Sequence, residues 1–301
     1  MKMTKRITIA LSLLGLTASC SKEEDRQTKP TYFAGKPVDL AKPGPHQHSV
    51  RLSYEKSDGN RQFHCSGVLV SPSIVMTAAH CLVHVSEIGG GLGATYKPSS
   101  IKVTLPGGVE TEATETHFPK NFDMHSNFVY GIDIGFFVLK DAAPLANVAQ
   151  VASEEEVESW LKNELPPFAL TGVGFGQTQN NSGSAGNLNT LDVPFMDKFG
   201  PLKDPSSFEV LSADAGRSFG KQLEFMAGFS ARIVCPGDSG SGVFFESSPG
   251  KWQLMGIASR TIGNPFVAGD NCSAGRLTGI YGFAFAGAQF IESVAKIKIL
   301  K

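Results

Sequence analysis

The chain has 301 residues, of which 41% are hydrophobic, so it is long enough to bury a substantial core in one large domain or two smaller ones. Its formal net charge is −1, from 27 basic and 28 acidic residues. This balance does not support a nucleic-acid-binding protein or a broadly cationic membrane-binding face. We therefore expect an ordinary globular protein in which charge acts locally.

The N-terminal segment has the pattern of an export signal. Lys2, Lys5 and Arg6 precede an apolar run over residues 7–16, and small residues follow that run. The run is too short to span a membrane as a mature helix. The sequence therefore predicts a signal peptide over residues 1–20 and an exported protein, which is periplasmic, anchored to an outer membrane or secreted.

The end of this signal, Leu-Thr-Ala-Ser-Cys over residues 16–20, resembles a bacterial lipobox, in which the cysteine becomes the lipidated N-terminus. Thr17 departs from that pattern, because leucine is preferred there. Two readings stay open: Cys20 carries a lipid, or plain cleavage leaves a spare thiol. A lipid on Cys20 is the only membrane contact expected. Residues 21–31 have little apolar surface to bury and are predicted to be a linker or propeptide before a folded domain over residues 32–301.

The cysteine count fits an exported protein. Cysteines tend to pair in an oxidising compartment, and five cysteines would leave one over. Assigning Cys20 to a lipid leaves four, and the sequence alone does not choose among their three possible pairings.

After about residue 33 the chain consists mainly of short apolar runs separated by Gly, Pro, Asn and Ser. Their length and their β-branched or aromatic content predict strands, for example over residues 66–70, 74–76, 134–139 and 242–245. Helical spacing of apolar residues predicts helices over residues 154–161 and 288–300. Many short strands with a late helix favour an all-β barrel or sandwich.

One run ends in Thr-Ala-Ala-His-Cys at residues 77–81, and Cys65 precedes it. The segment resembles the histidine-bearing stretch of chymotrypsin-like serine proteases, in both motif and cysteine spacing. The resemblance implies that His80 is the catalytic base and that Cys65 and Cys81 form a disulfide. The other histidines are interpreted as structural or surface residues.

A second motif, Cys-Pro-Gly-Asp-Ser-Gly-Ser-Gly-Val-Phe at residues 235–244, resembles the nucleophile loop of the same family. The resemblance implies that Ser239 is the nucleophile and that the N–H groups of Gly237 and Ser239 form the oxyanion hole. A serine hydroxyl needs a neighbouring base and donors for the developing oxyanion, so these groups suit the chemistry. A Cβ would hinder the backbone twist expected at Gly237.

The third expected member of the triad is Asp133, which orients the imidazole and stabilises its charged form. It precedes an apolar strand that resembles the family's Asp-Ile-Ala-Leu-Leu-x-Leu, and a carboxylate among such neighbours is costly without a partner. Asp123 is the only nearby substitute. Ser259 matches the family serine that hydrogen-bonds this aspartate.

The order of the three residues separates this family from other serine hydrolases. His80, Asp133 and Ser239 follow the chymotrypsin order, whereas α/β-hydrolases place serine before the acid and histidine. The Gly-x-Ser-x-Gly elbow of those hydrolases also fails, because residue 241 is Ser241 rather than glycine. A lipase-like enzyme is therefore disfavoured.

The resemblance also suggests activation by proteolysis. In the family, the carboxylate equivalent to Asp238 pairs with the ammonium of a freshly cut N-terminus. The Tyr-Phe-Ala-Gly at residues 32–35 resembles a degraded form of the family's Ile-Val-Gly-Gly start, with Tyr32 as the new terminus after cleavage behind Thr31. Tyr32 and Ala34 depart from the family pattern, and neither Arg nor Lys precedes Tyr32.

The specificity pocket implied by the resemblance has Ile233 at its floor and Ser259, Thr261 and Gly279 in its walls. Here Ser259-Arg260-Thr261 replaces the family's Ser-Trp-Gly. With no acid at the floor, an unpaired substrate cation would be penalised, so we expect an apolar residue before the cut.

The resemblance further predicts a Cys235–Cys272 disulfide and no calcium site, because Glu87 stands almost alone in the loop where some relatives bind calcium. No cofactor and no metal are expected. His46 and His48 are better explained as solvated side chains than as ligands.

Together these motifs imply an all-β fold of two six-stranded antiparallel β-barrels (chymotrypsin-like) with a C-terminal helix. They predict a monomeric serine endopeptidase that acts on proteins or peptides and has no nucleic-acid partner. The alternative is a catalytically silent secreted binding or scaffold protein with the same fold.

Overall fold

The computed structural model of the protein describes residues 35–55, 61–85, 92–120, 122–125, 128–130, 132–163, 169–177, 186–197, 223–228, 234–263 and 276–300. The predicted signal peptide and linker lie outside these ranges. The strands within the ranges are β1 (Lys36–Pro37), β2 (Ser49–Glu55), β3 (Arg61–Ser71), β4 (Ile74–Thr77), β5 (Val83–Val85), β6 (Leu92–Thr95), β7 (Ile101–Thr104), β8 (Glu110–His117), β9 (Asp123–His125), β10 (Phe128–Tyr130), β11 (Gly135–Leu139), β12 (Gln150–Val151), β13 (Ala169–Gly174), β14 (Asn189–Asp197), β15 (Glu224–Ala227), β16 (Gly242–Ser248), β17 (Lys251–Gly263) and β18 (Arg276–Phe283). The helices are α1 (Glu154–Asn163) and α2 (Ala284–Ala295).

The first barrel is a closed ring of six antiparallel strands in the order β11-β4-β3-β2-β7-β8. Alternate residues of a strand point to opposite faces, so an alternating sequence can fill a barrel with one set of side chains. Val50, Leu52 and Tyr54 of β2 and Ile101 and Val103 of β7 form that inward set and are buried.

The second barrel joins β14-β13-β16-β17-β18-β15, and pairing of β14 with β15 closes the ring. Two short strands lie outside the ring: β1 pairs with β14, and β12 pairs in parallel with β17. The predicted fold of two six-stranded antiparallel barrels with a C-terminal helix is confirmed.

The two barrels share a buried apolar layer. Every residue of β4 is buried, because Val75 faces the core of the first barrel while Ile74 and Met76 face the layer between the barrels. Other members of this layer come from both barrels and from α2: Val68, Phe136, Val173, Phe244, Leu254, Ile257, Ala284, Ala288 and Ile291. The layer holds together the barrel edges that carry the motifs identified in the sequence.

The predicted helix over residues 154–161 is confirmed as α1. Ser153 Oγ accepts the N–H of Glu156 at 3.2 Å, and Glu156 Oε2 accepts the N–H of Ser153 at 2.8 Å. This reciprocal capping box satisfies N–H groups that have no partner inside the helix. Within the described ranges, no helix has both the length and the apolar character needed to cross a bilayer.

The C-terminal helix exists, but the bounds predicted for it, residues 288–300, are wrong. α2 begins at Ala284 and ends at Ala295, where Lys296 adopts a left-handed conformation with φ 57°. The buried alanines and glycine at the start of α2 give a weak periodic signal, although their small size allows close packing. The helix therefore lies one turn earlier than the larger apolar residues indicate.

Residues 296–300, after α2, form a tail without regular secondary structure that is held against the molecule. One carboxylate oxygen of Glu292, in α2, accepts the N–H groups of both Ile299 and Leu300 at 2.7 Å. Ile297, Ile299 and Leu300 pack against the layer between the barrels. The apolar residues whose spacing predicted a longer helix therefore pack on the core as part of this tail.

Candidate active site

His80 lies in a short 3-10 turn, Ala79–Leu82, that follows β4. The preceding Ala78 is fully buried, and the predicted disulfide between Cys65 and Cys81 ties the turn to β3. A ring nitrogen of His80 lies within 4.8 Å of these sulfur atoms. Because the sulfurs are bonded to each other, they are not thiolate ligands for a metal. The turn fixes the position of an imidazole that is 12% exposed.

Asp133 precedes β11 and holds His80 by two hydrogen bonds. Its Oδ1 accepts the backbone N–H of His80 at 2.9 Å, and its Oδ2 accepts Nδ1–H of the ring at 2.8 Å. Oδ2 also accepts the hydroxyl of Ser259 at 2.6 Å. Burial alone would raise the pKa of Asp133, but the charge on His80 and these hydrogen bonds lower it below the ordinary value. The ionised carboxylate accepts a hydrogen bond from Nδ1–H, so that whenever the ring is in its neutral form Nε2 is the acceptor.

The turn that carries Ser239 is docked against the same part of the first barrel. The carbonyl oxygen of Ser239 accepts the N–H of Ser66 at 2.8 Å and lies 3.7 Å from Sγ of Cys81, the neighbour of His80. Gly240 follows with φ 82°, and an added Cβ there would meet Thr77 and Ser66. Only glycine fits this close approach, which packs the turn of Ser239 against the strands that lead to His80. Within the described residues, no hydrogen bond joins the hydroxyl of Ser239 to the ring of His80.

The two N–H groups predicted to form the oxyanion hole differ from their neighbours. Within the described part of the chain, the N–H groups of Gly237 and Ser239 form no hydrogen bond, whereas those of Asp238, Gly240 and Ser241 each bind a carbonyl oxygen at 2.8 Å. Gly237 has φ 95°, in the region that glycine populates readily. Two available donors therefore flank Asp238 in the nucleophile turn.

Asp238 turns away from Ser239 into a cavity of the second barrel. Its Oδ1 accepts the N–H of Gly176 at 2.8 Å, and its Oδ2 accepts the N–H of Cys235 at 3.0 Å. Burial nevertheless raises the pKa of Asp238 to about 6. Gly35 and Tyr281 also line this cavity, and the buried hydroxyl of Tyr281 has no hydrogen-bond partner among the described residues. Gly35 thus lines the same cavity as Asp238, the acid that the family resemblance pairs with a new N-terminus.

Three residues of the predicted specificity pocket are described, and two of them face each other across neighbouring strands. Thr261 of β17 and Gly279 of β18 are direct cross-strand partners, and Ser259 lies two residues before Thr261. A Cβ added at Gly279 would lie 3.2 Å from the hydroxyl of Tyr281. The same Cβ would lie 3.1 Å from the carbonyl oxygen of Ala227, so the backbone at Gly279 packs closely against Tyr281 and β15.

Several predicted residues lie outside the described ranges, namely Cys20, Tyr32, Glu87, Ile233 and Cys272. The side chain of Asp123, the alternative acid, is not described either. Cys235 is in a disulfide, and its pairing with Cys272 stays a prediction.

Two sets of residues at the site were not assigned a role from the sequence. Ser66 Oγ donates to the carbonyl oxygen of Gly237 at 2.9 Å and accepts the N–H of Phe175 at 3.2 Å. Arg260 and Glu224 form a buried ion pair beside Ser259. Each contact joins residues that are distant in sequence. In the sequence, the only sign of the ion pair was that Arg260 stands in the place of the family's tryptophan.

Comparison with known proteins agrees with the fold and these motifs. A family model described as Trypsin matches residues 38–286. Chymotrypsin-like elastase family member 3A of Homo sapiens is 27% identical over 227 residues, covering 74% of this chain and 75% of that protein. Chymotrypsin-C of Bos taurus is 26% identical over 218 residues, with coverages of 71% and 74%. A trypsin-like protease of Streptomyces glaucescens is 23% identical over 220 residues, with coverages of 72% and 69%.

Because the family model spans most of the chain, the chain belongs to the trypsin family of serine proteases. The resemblance inferred from the motifs is confirmed. Substrates of a protease family are proteins or peptides.

Proposed function

We propose that the chain is an active serine endopeptidase with His80, Asp133 and Ser239 as its triad. The observation that carries this proposal is the doubly bonded Asp133 and His80 pair beside the turn of Ser239. His80 takes the hydroxyl proton as Ser239 attacks the peptide carbonyl, and then returns it to the leaving amine. The N–H groups of Gly237 and Ser239 stabilise the oxyanion, and water later hydrolyses the acyl-enzyme.

A fluorophosphonate probe tests this proposal, because it reacts covalently only with an activated serine. We expect one label per processed chain and none in Ser239→Ala. Ser241→Ala is the matched control, since Ser241 lies in the same motif and is buried, and this variant should keep the label. Correctly processed wild-type protein that takes no label would instead support the silent scaffold protein.

We further propose that the enzyme prefers an apolar residue before the cut. Ile233 at the predicted floor supports this preference, because it offers no acid to pair with Arg or Lys of a substrate. We propose small or medium aliphatic residues. Cleavage of a peptide library is the test, and dominant cutting after Arg or Lys would contradict it. Gly279→Ala should shift the preference toward smaller residues, because the family resemblance places Gly279 in the pocket wall and the added methyl group has little room beside Tyr281.

Activation by cleavage after Thr31 is proposed as well. The raised pKa of Asp238 supports it, because an ammonium group would compensate a poorly solvated carboxylate, and Gly35 lines the same cavity. We also propose that the chain is exported and that Cys20 is lipidated, in which case cleavage after Thr31 would free the domain from the lipid. N-terminal sequencing of active protein decides: a Tyr32 start supports activation, and an intact Cys20 start contradicts it.

A further inference from the structure

A buried ion pair lies directly behind the proposed triad. Nη1 and Nη2 of Arg260 donate to the two carboxylate oxygens of Glu224 at 2.7 and 3.0 Å. The side chains are 11% and 1% exposed. Arg260 is on β17 and Glu224 on β15, the two neighbours of β18, so the pair reaches across one strand.

Stability alone is a poor explanation for such a pair. Removing two charges from water costs about as much free energy as their attraction returns, and well-packed apolar residues often serve as well. Arg260 makes another contact that an apolar residue could not reproduce. Its Nη1 donates to Oγ of Ser259 at 3.0 Å, and Ser259 in turn contacts Asp133.

The chemistry of arginine fixes the direction of these bonds. A guanidinium group has only donors and does not lose its proton in proteins, so Ser259 Oγ must accept from Arg260. The single hydroxyl proton of Ser259 is then directed to Oδ2 of Asp133, at 2.6 Å. Asp133 uses the same oxygen to hold the ring of His80. A hydrogen-bonded chain thus runs from Glu224 through Arg260, Ser259 and Asp133 to His80.

We propose that Arg260 is a positioning residue that keeps the hydroxyl of Ser259 donating to Asp133, with Glu224 anchoring the guanidinium group. This inference rests on the proposed function for its kinetic effect. Its effect on the bond between Asp133 and His80 does not depend on turnover.

The test replaces the pair by apolar residues, Glu224→Leu with Arg260→Met, which removes the donor without leaving one charge unpaired. We expect kcat per labelled site to fall about tenfold, with KM within about twofold, because the ring of His80 is less well oriented. Arg260→Lys combined with native Glu224 keeps a donor and should recover part of the loss. The control is Lys102→Met with Glu112→Leu, a partly exposed ion pair in the other barrel that Lys140 also joins, and it should leave kcat unchanged.

A coupling experiment separates positioning from general loosening. Ser259→Ala removes the group through which Arg260 acts, so adding the Leu and Met replacements to Ser259→Ala should lower kcat no further. Wild-type kcat in the Leu and Met variant, or an added tenfold loss in the Ser259→Ala background, would overturn the proposal.

A spectroscopic readout keeps the inference testable if the chain proves inactive. In full-length Ser239→Ala protein, the downfield proton resonance of His80 Nδ1–H reports the bond to Asp133. We expect it to move upfield in the Leu and Met variant and to stay in place in the Lys102 and Glu112 control. An unchanged resonance contradicts the positioning role. A moved resonance together with no turnover by the wild type would instead contradict only the proposed function.

Discussion

Asp133 and Asp238 are two inward-turned aspartates whose surroundings affect their charge in opposite ways. Asp133 accepts three hydrogen bonds and contacts an imidazole, which together lower its pKa. Asp238 accepts two backbone N–H groups, and its pKa is raised to about 6. Among the described residues no cation contacts Asp238. Asp133 therefore has its hydrogen-bonding partners in place, whereas Asp238 lies in an environment that lacks a compensating cation.

The largest expected effect is on kcat and comes from removing the charge of Asp133. Asp133→Asn should lower kcat by about 10⁴-fold, because the amide does not enforce the tautomer that leaves Nε2 free. Steady-state kinetics on a cleaved peptide measures this. Asp141→Asn is the control: among the described residues, this exposed acid of the first barrel is hydrogen-bonded only to Thr111, and its variant should keep wild-type kcat. A loss of less than tenfold in Asp133→Asn would remove Asp133 from the proposed triad.

A second, smaller effect concerns Asp238 and the pH dependence of the free energy of unfolding. The folded pKa of Asp238 is raised, so ionisation opposes folding, and the free energy of unfolding should fall as pH rises from about 4 to 7. The expected loss is about 2 kcal/mol. It is measured by urea unfolding of uncleaved Ser239→Ala protein relative to the same protein with Asp238→Asn.

Cleavage after Thr31 sharpens this prediction. A new ammonium group beside Asp238 would lower its pKa, so the ionised acid would then favour folding and the slope with pH should reverse. Equal slopes before and after cleavage would contradict the proposed pairing.

The smallest expected effect tests the contact between the barrels. Ser66→Ala leaves the carbonyl oxygen of Gly237 and the N–H of Phe175 without their shared hydroxyl, so the free energy of unfolding should fall by about 1 to 2 kcal/mol. Ser71→Ala, in the same strand, loses one local bond to the N–H of Ser73 and should cost less. Equal losses in the two variants would mean that the bridge to the nucleophile turn adds nothing.

The sequence predicted those parts of the candidate site that short motifs encode, although their catalytic roles stay predictions. His80 and Cys81 stand side by side, and the residues around Ser239 form one continuous turn, so local residue types were enough to locate them. Asp133 could be predicted because a carboxylate before an apolar strand needs a partner. The two-barrel fold followed from the same family resemblance.

The rest depends on register and three-dimensional packing. Glu224 meets Arg260 only because both flank β18, and no local pattern gives that alignment. The end of α2 was misplaced because Ile297 and Leu300 have helical spacing, although they pack as a tail. Ile233, Tyr32 and Cys272 lie outside the described residues, so the pocket floor, the new N-terminus and the second disulfide stay predictions.

The tail after α2 has a practical consequence for anyone who truncates or tags this protein. Glu292 binds the backbone of Ile299 and Leu300, and the tail's apolar side chains cover the layer that both barrels share. A stop codon after Ala295 would uncover that layer and leave the Glu292 carboxylate without its two N–H partners. Carboxypeptidase trimming should therefore lower solubility and thermal stability, and an affinity tag should follow residue 301 rather than replace the residues before it.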